Sequence, residues 1–362
     1  MGKLVPHLDW LSQNLGVPLA AAGFAVSCLM LPGAAAGWTF GAIADRYGAK
    51  NVTVNGLLLS AFASVGAGAA DSFAILVSIR IVEGIGYTLL VVAASVLVAR
   101  HGAIGLSVWS SFAPIGFALG QWAGSYAGNG TPLFDIGALH AAALGIAAAA
   151  VHVFVKDSPS KKAATRVSAL SHRPALRSAF SFGAVCLVLL AAVALVPVVL
   201  SKAHGMTLAE IASLTALAAL PSIIGRIIPG WLLERGVHAL AVFVIAAAIA
   251  AATLAGALLL PGPLWLALAL FAVFQISAGA LPGLLSAMMP HVAPTPAQLG
   301  TVSGMCSQAV NMGNLIGPPL VLAVYAAAGA ATAVVLLIGL LAVALAVIAG
   351  LAVFRRNLRQ AA

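Results

Sequence analysis

Gly41-Ala-Ile-Ala-Asp45-Arg46-Tyr-Gly48-Ala-Lys50 closes one long apolar segment and opens the next. Only 7% of the 362 residues are charged, so an Asp, an Arg and a Lys within six positions need a physical reason. Gly37 precedes Gly41 by one helical turn, a small-xxx-small spacing that lets two helix backbones approach closely. Tyr47-Gly48 then breaks the helix. The stretch reads as a polar turn at a membrane surface, between two membrane-crossing helices.

Composition supports that setting. The chain is 62% apolar with a mean hydropathy of +1.12, whereas soluble domains are about half apolar and about a quarter charged. It therefore reads as all-α, a polytopic helical membrane protein. The apolar runs are continuous rather than alternating, which argues against a β-barrel. The formal net charge of +9 fits basic cytoplasmic loops better than nucleic-acid binding, since no basic patch is interleaved with aromatics. Cys28, Cys186 and Cys306 lie far apart in apolar runs, and the histidines show no ligand spacing, so neither a metal nor a cofactor is expected. His7, Asp9, Gln13 and Asn14 interrupt what a signal peptide would need as an apolar core.

At about 20 apolar residues per crossing, the chain divides into eleven spans: 17–43, 51–70, 73–99, 103–127, 134–155, 179–201, 208–233, 238–260, 263–288, 297–326 and 329–354. With the Gly41–Lys50 turn in the cytoplasm, thirteen cations fall on that side: Arg46, Lys50, Arg100, Lys156, Lys161, Lys162, Arg166, Arg173, Arg177, Arg235, Arg355, Arg356 and Arg359. Lys3 and Lys202 fall opposite, while Arg80 and Arg226 lie within spans. The positive-inside rule then puts the N-terminus outside and the C-terminus in the cytoplasm, in a bacterial inner membrane. Residues 1–16 are expected as an external segment, 17–155 as a five-span bundle, 156–178 as a basic cytoplasmic linker, 179–354 as a six-span bundle and 355–362 as a tail.

The two halves repeat. Gly41…Asp45-Arg46-Tyr-Gly48 has a counterpart in Gly230-Trp-Leu-Leu-Glu234-Arg235-Gly236, Arg80-Ile-Val-Glu83-Gly84 in Gln275-Ile-Ser-Ala278-Gly279, and Gly116-x3-Gly120 in Gly313-x3-Gly317. The pairs lie six spans apart, as a tandem repeat of six helices requires. Here the sequence resembles the major facilitator superfamily. Gly41, Asp45, Arg46, Gly48 and Lys50 match that family's signature loop between its second and third helices. Arg80, Gly84 and Gly86 match its fourth-helix motif, and the Gly-rich stretch through Gly124 is similar to its fifth helix, without the usual Gly-Pro pair. The resemblance implies two pseudo-symmetric six-helix bundles around a central cavity, and a loop that clamps the halves on the cytoplasmic side. Only one span precedes the signature loop, so 11 of 12 helices are expected, with the first either lost to a late start codon or truly missing.

Candidate functional residues follow. Asp45 suits a helix N-terminus, whose partial positive charge favours a carboxylate. Thr295-Pro296-Ala297-Gln298 has capping-box form with Pro at the first helical position, so a suitable helix start lies on the same side. Gly230, Glu234 and Arg235 would form the second latch. Arg80 and Glu83, three apart on one helical face, form either a structural ion pair or a substrate- or proton-handling site, because charge inside a bilayer usually meets a partner or a cavity. Arg226 could snorkel to the interface. At about 100° per residue, Gly304, Ser307, Gln308, Asn311 and Asn314 span about 120° of one helix face; these side chains either bond neighbouring helices or line water. Gln121, Trp122, Tyr126 and Gln275 are weaker candidates of the same kind. Gly84-Ile-Gly86 lacks the rest of a dinucleotide fingerprint, there is no Walker loop, and no constellation supports an enzyme.

The leading expectation is a secondary active transporter, a permease that moves a small organic solute by alternating access, with H+ as a coupling partner, as a monomer in the lipid bilayer. The alternative is a non-transporting receptor or a truncated remnant.

Overall fold

In a hydrocarbon solvent every backbone N–H and C=O must be paired within the chain, and continuous apolar runs meet that demand only as helices. The computed structural model describes residues 2–126, 133–156, 167–351 and 354. Among the described residues there is helix and no strand. After a 3-10 turn at Gly2–His7 come α1 (Leu8–Asn14), α2 (Leu19–Ser27), a second 3-10 turn at Cys28–Met30, α3 (Leu31–Tyr47), α4 (Ala49–Gly68) and α5 (Phe73–Val98). A third turn, Ala99–His101, leads to α6 (Gly102–Trp109), α7 (Phe112–Tyr126), α8 (Leu133–Phe154) and α9 (Val167–Ser171). The chain continues with α10 (Arg173–His204), α11 (Leu208–Ala219), α12 (Ser222–Glu234), α13 (Ala239–Leu259), α14 (Leu264–Val292) and, after Pro296–Gln298, α15 (Leu299–Ala349).

Local chemistry marks several boundaries. Gly48 ends α3 at φ 89°, and Gly236 follows the end of α12 at φ 88°. The two halves of the repeat thus turn on matched left-handed glycines, a conformation that costs other residues energy. Thr207 and Glu210 form a reciprocal capping box at the start of α11. Helix α15 breaks at Gly329, with φ 79° and ψ 179°, which divides it near the expected boundary between 297–326 and 329–354. The expected span 103–127 is interrupted at Ser110–Ser111, between α6 and α7. Among the described residues, nine stretches are long and apolar enough to cross a membrane, against the eleven expected. The count is lower because Phe73–Trp109 and Pro296–Ala349 each count as one stretch, the second across its break at Gly329, and α7 has only 15 residues.

Two compact units emerge. The first comprises Met1–Leu97, Ala113–Ala169 and Pro294–Gln308. In it α4 packs along α8, and α3 meets the Pro296–Gln298 turn. Its core includes Leu4, Leu11, Ala25, Ala67, Leu76 and Ile136. The segment expected as an external loop, residues 1–16, is therefore mostly helical, and Lys3, Leu4, His7 and Leu11 are buried. Its leucines recur at helical spacing, which buries an apolar stripe even in a segment too polar to cross a membrane.

The second unit comprises Val98–Phe112, Leu170–Ala293 and Ala309–Ala362. Helix α14 is its axis, packed against α10, α11, α12, α13 and α6. Phe271 and Phe274 stack at 5.8 Å between ring centroids within its core. In both units large apolar side chains point outward, Phe62 at 76% exposure and Trp265 at 68%, as expected where the surrounding solvent is lipid.

Candidate functional site

The Gly41 stretch is the last two turns of α3, and its glycines explain how it docks. A Cβ on Gly41 would overlap the Gly300 carbonyl, and one on Gly37 would meet the Gly304 carbonyl and Gln308. In return, a Cβ on Gly304 would overlap the Gly37 carbonyl. Gly37-xxx-Gly41 and Gly300-xxx-Gly304 thus form a reciprocal small-residue interface, with backbones in van der Waals contact.

That approach brings Asp45 onto the first turn of α15. Its Oδ1 accepts from the Gly300 N–H at 2.8 Å, and its Oδ2 accepts from the Thr301 N–H at 2.7 Å and the Thr301 hydroxyl at 2.6 Å. The carboxylate satisfies two of the orphan donors that any helix start carries and sits against the positive end of the helix dipole. The capping box read into Thr295–Gln298 does not form. Thr295 makes no side-chain cap bond to the backbone, and its Oγ1 instead donates to Gln298 Oε1 at 3.4 Å. The Gln298 N–H that such a box would hold donates to the Thr295 carbonyl instead, at 3.0 Å, and Asp45, 255 residues away, takes the next free donors at Gly300 and Thr301.

The second copy is built the same way in the other unit. Gly230 on α12 packs against Ala103, Ile104 and Ser107 of α6. Glu234 Oε1 accepts from the Ile104 N–H at 3.3 Å, within the first turn of α6. Arg235 lies over Trp231 at 3.5 Å from the ring centroid, while Arg46 lies over Tyr47 at 5.3 Å. Lys50 is half-buried in the first turn of α4. The paired fourth-helix motifs also share a packing role. Gly84 rests on the Leu29 carbonyl, and Gly279 rests on the Ser222 carbonyl, each on the stretch leading to a latch. The third pair does not match: Gly313 and Gly317 pack on Gly183 and Leu187, whereas Gly116 faces open space.

Arg80 and Glu83 form a buried ion pair on α5, and three further groups complete it. The Lys3 ammonium donates to Ser64 Oγ, to Glu83 Oε1 at 3.2 Å and to His140 Nδ1 at 3.1 Å. Arg80 Nε donates to the Ala25 carbonyl at 3.0 Å, and Nη1 donates to Glu83 Oε2. Nη2 is buried without a partner. Sequence reading missed Lys3, Ser64 and His140, which lie on separate elements with no shared motif. A lone Lys in a segment taken for an outer loop gave no signal of burial.

The polar face of α15 is divided among tasks. Ser303 bonds Ser95 at 2.7 Å between hydroxyls. Gln308 bridges a break in α3, where Ala36 leaves helical geometry at φ −142°: its Nε2 donates to the Ala35 carbonyl at 3.3 Å, and its Oε1 accepts from the Trp38 N–H at 3.4 Å. Asn311 is buried, while Ser307 and Asn314 are half-buried. Gln275 is buried on α14, with Oε1 lacking a partner. Arg226 does not snorkel freely, because Nη1 donates to the Ser110 carbonyl at 2.9 Å, at the break between α6 and α7. Pro114, four residues on, has no N–H to donate to that carbonyl. Trp122 is exposed on α7; the side chains of Gln121 and Tyr126 lie outside the described residues, as do Lys161, Lys162, Arg166, Arg355, Arg356 and Arg359. Among the described residues, no cluster of His, Cys, Asp and Glu could hold a metal ion.

The sequence model of the Major Facilitator Superfamily matches residues 3–305. The chain belongs to the major facilitator superfamily. Its fold is that of solved superfamily transporters. Against the human organic anion transporter MFSD10 (TETRAN), the TM-score is 0.73 at 19% identity, covering 95% of this chain and 88% of that one. Against the transporter FucP in the outward conformation, the TM-score is 0.75 at 17% identity, covering 96% and 93%. No curated protein matches the sequence. As a superfamily member the chain is an integral membrane protein and a membrane transporter of small molecules, in a family of transporters rather than enzymes.

Proposed function

We propose that this protein is a secondary active transporter that moves a small organic solute by alternating access. The carrying observation is the pair of carboxylate-on-helix-start latches, Asp45 on α15 and Glu234 on α6. Each joins a helix of the first sequence half to a helix of the second, at ends that the charge pattern assigns to the cytoplasm. Making and breaking two such latches gives a bistable gate, because packed glycine interfaces are either engaged or not. Gly41, Arg46, Gly48, Lys50, Gly230 and Arg235 shape and anchor the latches.

Solute contact falls to the polar side chains Gln121, Tyr126, Gln275, Ser307, Asn311 and Asn314, with Gln308 as support for the α3 break. Glu83 is the carboxylate through which protons would couple, the bacterial inner membrane is the site of action, and the working unit is a monomer with its C-terminus in the cytoplasm. The test is a thermal-shift screen of the purified chain against metabolites, followed by reconstitution of the strongest ligand into proteoliposomes. The reading expects counterflow exchange of that ligand, and accumulation under an imposed proton gradient that Glu83→Gln abolishes while counterflow survives. Ligand binding with neither exchange nor uptake would overturn it in favour of a receptor.

A further inference from the structure

Among the described residues, the cluster beneath the N-terminal segment is one negative charge short. Lys3 and Arg80 are 7% and 0% exposed in their side chains and share a single carboxylate, Glu83, itself 3% exposed. His140 adds no anion. Its Nδ1 faces the Lys3 ammonium at 3.1 Å, so that nitrogen accepts a proton rather than carrying one. Ser64 accepts from Lys3, and its one proton faces both the Gly137 carbonyl at 3.1 Å and His140 Nδ1 at 2.9 Å. Lys3 therefore has all three of its donors engaged, Glu83 has both oxygens engaged, and the buried polar atom of the cluster left with no partner is Arg80 Nη2. A buried cation without a counter-ion is unfavourable by several kcal/mol, and a buried guanidinium N–H without an acceptor adds to it.

The cluster is not sealed, since 38% of the His140 side chain is exposed. It also stands at one depth. Ser64 is near the end of α4, Arg80 is two turns into α5 and His140 is two turns into α8, all near the ends that the charge pattern assigns to the outside. Resting on the transport reading above, we infer that this cluster is an anion site, and that the transported solute carries a carboxylate or similar monoanionic group that completes the charge of Lys3 and Arg80. Guanidinium and ammonium together suit a planar carboxylate, with Arg80 giving the directional bond and Lys3 the point charge.

The test uses the purified full-length chain at constant ionic strength, with thermal unfolding as readout. The probes are acetate, lactate and benzoate, each against its neutral amide: acetamide, lactamide and benzamide. The expected result is that at least one carboxylate raises the melting temperature of the wild type while its amide does not. Glu83→Gln, which leaves two cations and no anion, is less stable alone but binds the same carboxylate at least tenfold more tightly. Lys3→Met leaves a neutral Arg80–Glu83 pair, keeps its fold and loses the carboxylate response. Carboxylates and amides acting alike, or Lys3→Met responding as the wild type does, overturns the inference. Uptake of a neutral or cationic solute at equal rates by the wild type and Lys3→Met would sink the anion site and leave transport standing. Carboxylate binding without counterflow of any ligand would do the reverse.

Discussion

Asp45 and Thr301, 256 positions apart in the chain, are joined twice through one carboxylate oxygen, at 2.7 Å to the backbone N–H and 2.6 Å to the hydroxyl. With the Gly300 N–H on the other oxygen, Asp45 acts as the N-cap of a helix to which it does not belong. That single relationship links the signature loop of the first half to the start of the helix that carries the longest polar face in the second.

Replacing Asp45 by Asn keeps the size but turns one oxygen into a donor aimed at an N–H. The expected loss is about 2 kcal/mol, from charge-assisted hydrogen bonds and the helix dipole together. It should appear as a lower melting temperature and as loss of solute accumulation in proteoliposomes. Asp45→Glu should not restore it, because the extra methylene displaces the carboxylate from Gly300. Wild-type accumulation in either variant would remove Asp45 from the gate.

The glycines make a sharper contrast. Gly41→Ala puts a methyl group into the Gly300 carbonyl and forces two helices apart, so the purified protein should unfold several degrees earlier or fail to fold. Gly116→Ala meets nothing within 4 Å and should change stability by less than about 1 kcal/mol, in the stabilising direction expected for Ala over Gly in a helix. Equal effects at the two positions would contradict the packing described.

Gln308→Leu removes both amide bonds across the α3 break. Hydrogen bonds of this kind inside membranes contribute about 1 kcal/mol each, so the change is modest in stability. It should be clear in hydrogen exchange, with the Trp38 amide exchanging faster than in the wild type. Unchanged protection at Trp38 would mean that the break is held by other contacts.

In the charge cluster either removal leaves one cation on Glu83, so the order of damage follows from what else each side chain holds. Arg80→Ala also loses the bond to the Ala25 carbonyl and empties the space of a fully buried side chain, a large-to-small change in a packed interior that costs about 2–5 kcal/mol. Lys3→Met leaves Arg80–Glu83 intact and should cost far less. A larger loss for Lys3→Met than for Arg80→Ala, measured by thermal unfolding in detergent, would reverse this ranking.

All three cysteines are buried and none is in a disulfide, so a maleimide should label none of them in the folded protein and three after denaturation. Rapid labelling of Cys28, Cys186 or Cys306 in the native state would place that helix face in water.

The sequence alone determined the solvent and the repeat, and it singled out the residues proposed as latches. Hydropathy is summed over neighbours in the chain, so composition is enough to show a lipid environment. The six-span offset and the glycine spacings are likewise properties of one strand of sequence, and they made Asp45, Glu234 and the Arg80–Glu83 pair legible. What the tertiary structure decided were meetings between distant elements. Thr295 looked like the side-chain cap of its own helix, but the N–H groups of Gly300 and Thr301 are held by Asp45. The segment before Gly16 gave no sign of burial until Leu4 and Leu11 were found in the core and Lys3 beside Glu83. Hydrogen-bond partners are chosen by proximity in space, and an isolated Lys3, Ser64 or His140 carries no periodicity that could announce its neighbours.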